Sequence, residues 1–140
     1  DTIRLLRECD AGIKMGVSAI SDVVDRVADK RFRRLLTDCQ AQHDKLKAEI
    51  QTLLDKYGDE GKAPNPIAKS MSHMKTGMKL GMDDSDETIA DLMTDGCNMG
   101  VKSLSQYLNQ YQAADETSKD ITKRLIALEE RLAVDIRGFL

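Results

Sequence analysis

The residues of this chain best placed for chemistry are His43, Glu129, Cys97 and Cys39. His43 falls near the middle of a helical apolar arc, between Cys39 and Leu46, and Glu129 falls within a second such arc. A polar side chain in an apolar stripe needs a partner. Three readings fit. His43 and Glu129 form a hydrogen-bonded pair in an otherwise apolar core, or one of them turns out to solvent. In the third, His43, Glu129 and a thiolate from Cys97 or Cys39 hold one divalent metal, zinc or iron, because N, O and S donors of this kind suit zinc. Cys9 should lie some three turns from Cys39 and is left out of any shared site.

Other chemistries find no residues. There are two histidines and no Gly-x-Ser-x-Gly, so no serine or cysteine has a triad. No glycine-rich strand-to-helix turn is present to cradle phosphate. No C-x-x-C pair exists, and three widely spaced cysteines argue for a reducing compartment, the cytoplasm, rather than a disulfide framework. A net charge of −3 leaves no footprint for nucleic acid or anionic membrane. No apolar run approaches the ~18 residues that span a bilayer. The chain begins at Asp1, which fits removal of a short preceding segment, and no signal peptide is visible in it.

Four long helices would have to position the polar residues. Ile3, Leu6, Ile13, Val17, Ile20, Val24 and Val27 recur at three- and four-residue steps, which predicts a first helix from Thr2 to Ala28. Phe32, Leu35, Leu36, Cys39, Leu46, Ile50, Leu53, Leu54 and Tyr57 mark the inner face of a second, with Gly58 placed as its C-cap. "DDSDE" supplies N-cap candidates for a third helix carrying Ile89, Met93, Cys97, Val101, Leu104, Leu108 and Tyr111 inward. A fourth, from about Ser118, carries Ile121, Leu125, Leu128, Leu132, Ile136 and Leu140.

An internal repeat links them. "GIKMGVSAI" (Gly12 to Ile20) matches "GCNMGVKSL" (Gly96 to Leu104) at an offset of 84 residues. "HDKLKAEI" (His43 to Ile50) matches "EERLAVDI" (Glu129 to Ile136) at an offset of 86. One helical hairpin (1–58) therefore occurs twice (again at 85–140), and His43 and Glu129 are equivalent positions. The segment between, 59–84, should cross over and carry a short helix, Ile67 to Met82. Its Ile67, Met71, Met74, Met78 and Met82 share one stripe, read as packing ahead of a partner surface or a soft-metal site. The paired glycines Gly12/Gly16 and Gly96/Gly100 are read as points of close helix approach, with room for a ligand as the alternative.

The whole reads as one all-α domain: a four-helix bundle of two hairpins with a crossover. Segments such as "CDAGIKMGVSAI", "RFRRLLTDCQAQHDKLKAEI" and "IADLMTDGCNMGVKSLSQYL" resemble the ferritin-like superfamily, and a small bacterial branch of it of unknown function. The resemblance covers nearly the whole chain. It implies a di-iron centre built from carboxylates and Glu-x-x-His motifs. Here the second helix offers Gln40 and His43, the fourth Ile126 and Glu129, and the first and third present glycines. Asp10 lies only at the edge of its apolar face. The di-iron site is thus degenerate. The expected function is non-catalytic, with no cofactor, through a homo-oligomer such as a dimer or through a protein partner. The alternative is the reduced, mononuclear metal site.

Overall fold

A computed structural model describes residues 1–64 and 84–140 of the chain. The Met-rich helix expected at Ile67 to Met82 lies outside the described residues. Four long helices, α1 (Thr2–Val23), α2 (Lys30–Lys56), α3 (Asp86–Gln110) and α4 (Glu116–Asp135), pack as an all-α bundle. There is no strand among the described residues.

Caps set most of the helix boundaries. Asp29, Ser85 and Asp115 accept hydrogen bonds from the backbone N–H groups of Phe32, Thr88 and Ser118, which occupies donors the helix itself leaves free. At the end of α2, Gly58 takes φ of 66°, its N–H donates to the Asp55 carbonyl, and the N–H of Asp59 donates to that of Leu54. Those two bonds are a Schellman motif, and they place Gly58 where the sequence expected it.

α1 ends earlier than its periodicity predicts. After Val23 the chain makes a short 3-10 turn, Val24–Arg26, and Val27 is extended. The Asp86 carboxylate accepts from the N–H groups of Ala28 and Asp29, while the Arg33 guanidinium donates to the Val27 carbonyl. Outside groups thus satisfy the backbone that a longer helix would have paired internally. α4 likewise ends at Asp135, and a 3-10 turn, Arg137–Phe139, brings Phe139 to stack on Phe32 at 4.7 Å.

Contacts along the helices fix their directions. Asp1 and Thr2 accept from the backbone N–H groups of Ala113 and Asp115, so α1 begins where α3 ends and α4 begins. Asp86 reaches Ala28 and Asp29, so α3 starts at the other end, beside the start of α2. Hence α2 and α3 run parallel, and each is antiparallel to α1 and α4. The chain must therefore pass from one end of the bundle to the other between α2 and α3. Leu5, Leu6, Ile13, Ile20, Leu36, Ile50, Leu54, Ile89, Ile121, Leu125 and Ile136 fill the core. Each such buried side chain contributes about 1.5–3 kcal/mol from burial. Ile3, Tyr57 and Leu140, expected inward, are exposed, each near an end of its helix or of the chain.

Candidate functional site

The two equivalent polar positions of the repeat meet at mid-height. His43 of α2 is buried, and its Nε2 lies 2.7 Å from Oε1 of Glu129 on α4. The other ring nitrogen, Nδ1, lies 2.8 Å from the Cys39 carbonyl oxygen. A carbonyl only accepts, so Nδ1 carries a proton and donates it. Nε2 and Oε1 would be two facing acceptors unless a second proton sat between them. The pair therefore holds that proton, and imidazolium with carboxylate is the charge state its surroundings favour. Burial works against the charged ring, but hydrogen bonding to Cys39 and Glu129, with Glu129's negative charge, outweighs it and pushes His43 up to about 10.

The sulfurs stand on different sides of this pair. The Cys39 Sγ is 3.5 Å from Nδ1, the edge of the ring turned away from Glu129. Cys97 of α3 faces Glu129 instead. Burial, then the negative charge of Glu129 and a hydrogen bond to it, push the Cys97 thiol well above its ordinary range. All four sequence candidates thus gather in one place, but around two edges of the imidazole rather than one point. Cys9 is apart, as expected, with its Sγ 3.1 Å from the Thr122 hydroxyl.

Glycines complete the walls. A Cβ at Gly16 of α1 would lie 3.0 Å from His43 Nε2, and one at Gly100 of α3 would lie 3.7 Å from Glu129. The close approach at Gly16 is therefore to the buried pair. Among the described residues, Gly96 has nothing within 4 Å of a built Cβ, and Gly12 only Leu104 at 3.9 Å, so close approach of these helices does not explain those two. Gln40, which stands where the resemblance expects a ligand, donates to the Ser21 hydroxyl and ties α2 to α1.

A di-metal centre does not fit these residues. At the level of the pair, α1 and α3 offer glycines where carboxylates are needed, and one carboxylate cannot balance two metal ions. Among the described residues, no group of three or more His, Cys, Asp and Glu side chains is arranged to hold a metal ion.

One buried acid escaped the sequence reading. Asp10 is fully buried, not at the edge of a face. Its Oδ2 accepts from Lys14 Nζ at 2.7 Å and from the Lys62 N–H at 3.0 Å. Residues 58–64 fold back along α1 to make this possible, held also by Arg7 to Asp59 and Lys62 to Glu8. The acids and lysine of "GDEGK" were the only trace of it in the sequence.

No helix among the described residues is long and apolar enough to cross a membrane. No family model, curated protein or solved structure matches the chain.

Proposed function

We propose that this chain is a ferritin-like bundle without metal chemistry, acting in the cytoplasm by self-association or by binding a protein partner. The observation that carries this reading is the interior at mid-height. Where a metal-binding bundle needs acids from α1 and α3 there are Gly16 and Gly100, and a self-satisfied His43–Glu129 pair fills the space between. The parallel run of α2 and α3 and the repeated hairpin support the ferritin-like part. Three unpaired, buried cysteines favour a reducing compartment. Met99 and Val134, 69% and 52% exposed on α3 and α4, are apolar side chains that an interface would gain by covering.

Sedimentation equilibrium of the untagged chain tests this, with metal content measured on the same sample. The expected result is a mass above the monomer that falls in Met99→Lys or Val134→Lys. A monomer carrying stoichiometric metal would overturn the proposal.

One observation favours the alternative, a single zinc or iron held by His43, Glu129 and a thiolate. The Cys39 carbonyl already takes the Nδ1 proton, which leaves Nε2 as the nitrogen able to ligate. Stoichiometric uptake lost in His43→Ala would establish it.

A further inference from the structure

The polar cluster leaves no room for a side chain at position 16 but accepts a Cβ at position 100 in ordinary contact. A Cβ at position 16 would meet His43 Nε2 at 3.0 Å and Cδ2 at 3.2 Å, so α1 walls the pair off. A Cβ at position 100 would stand 3.7 Å from Cδ, Cγ and Oε2 of Glu129, which is ordinary contact. It would face the carboxylate oxygen that His43 does not use. Cys97, one turn earlier on the same face of α3, also approaches Glu129. His43 meanwhile donates its Nδ1–H to the Cys39 carbonyl, the hydrogen bond that orients a metal-bound histidine with Nε2 toward the metal.

We propose that this core is a divalent-cation site short of one acidic ligand, and that the missing ligand belongs at position 100 and not at position 16. The inference rests on the reading of the bundle as free of metal chemistry, and deepens it. A lone carboxylate balances one positive charge. A dication placed beside it would keep an uncompensated charge in the core, whereas a proton leaves none. A second carboxylate supplies both the missing charge and a further donor. Together with imidazole and thiol, it makes a set suited to zinc and cobalt(II). Without a cation the two acids would repel.

The test titrates Zn²⁺ and Co²⁺ into the native chain, Gly100→Glu, Gly100→Asp and Gly16→Glu after chelator treatment. Calorimetry gives stoichiometry and affinity, and the visible and near-UV absorption of Co²⁺ reports geometry and any thiolate ligand. Gly100→Glu is expected to bind one ion per chain at least about 100-fold more tightly than the native chain, and to gain thermal stability with metal. Adding His43→Gln should abolish that binding, and Gly16→Glu should gain nothing. Gly100→Asp covers the case in which the longer acid does not fold. Position-100 variants that fold yet bind no better than the native chain would overturn the inference. So would a matching gain in Gly16→Glu, or failure of both position-100 variants to fold with metal present. Stoichiometric binding by the native chain would instead defeat the underlying reading.

Discussion

Gly16→Ala and Gly100→Ala should shift stability in opposite directions, although the two glycines occupy equivalent places in the repeat. Replacing a helix-interior glycine by alanine gains about 1 kcal/mol from backbone preference alone. At position 100 nothing offsets that gain, because the new methyl meets Glu129 at 3.7 Å. The same holds at position 12, where a methyl would meet only Leu104 at 3.9 Å, and at position 96, where nothing among the described residues lies within 4 Å. At position 16 the methyl would sit 3.0 Å from His43 Nε2 and 3.5 Å from Glu129 Oε1. The ring cannot retreat, since both its nitrogens are held and it is 1% exposed. Overpacking of this kind costs about 1–3 kcal/mol. Set against the gain, the net effect is a loss of about 0–2 kcal/mol, so the two variants should differ by about 1–3 kcal/mol. Urea unfolding followed by far-UV circular dichroism measures this as a shift in midpoint at constant slope. In a chain of this size each kcal/mol should also move the melting temperature by roughly 3–5 °C. If Gly16→Ala stabilised the protein as much as Gly100→Ala, the His43 ring would not be pinned as described.

Three further outcomes follow from the same geometry. Glu129→Leu strands a buried histidine and should cost about 2–4 kcal/mol, the lower figure reflecting that Glu129 is 12% exposed. The His43→Leu/Glu129→Leu double variant should lose clearly less than the two singles added, and strict additivity in the cycle would rule out the pair. Stability should fall as pH rises. His43 holds its proton to about 10 when folded against an ordinary 6.5, so its contribution is complete below about 6.5 and lost toward 10. The slope is at most about 1.4 kcal/mol per pH unit, because the folded chain binds one proton more. Burial raises Cys9 to about 11 and raises Cys97 as well, which adds in the same direction above the ordinary thiol value of 9.0. A flat profile in chemical unfolding between pH 7 and 9 would contradict the shift. Gly61→Ala should loosen residues 58–64, because Gly61 has φ of 85° and a Cβ there would collide with Asp10 Oδ2. Faster proteolysis within that segment is expected, with a loss of about 1–3 kcal/mol, and unchanged cleavage would argue against the strap.

The bundle and its buried pair were legible because they are written in periodicity. A single polar interruption of an apolar stripe, repeated at an equivalent place in the second hairpin, located both His43 and Glu129 and implied that they meet. Helix direction followed from the crossover. Two kinds of feature were not legible. The stripe of α1 runs on through Val24 and Val27, but the helix stops because Arg33 and Asp86 satisfy the backbone from outside, and long-range caps leave no local pattern. Asp10 looked half-solvated on a wheel, since a wheel shows only the helix itself. Its burial comes from the Lys62 backbone, which arrives from another part of the chain. Glycine spacing likewise could not say why each glycine is there. Gly16 answers to an imidazole, whereas Gly96 answers to nothing within 4 Å among the described residues.

Elemental analysis of the untagged chain, purified without chelators and normalised per chain, bears most directly on whether the core pair replaces a metal. Zinc, iron and manganese should each fall well below one per chain, and stay low after reconstitution. Near-stoichiometric metal in the native chain, lost in His43→Ala, would contradict that and make His43 and Glu129 ligands.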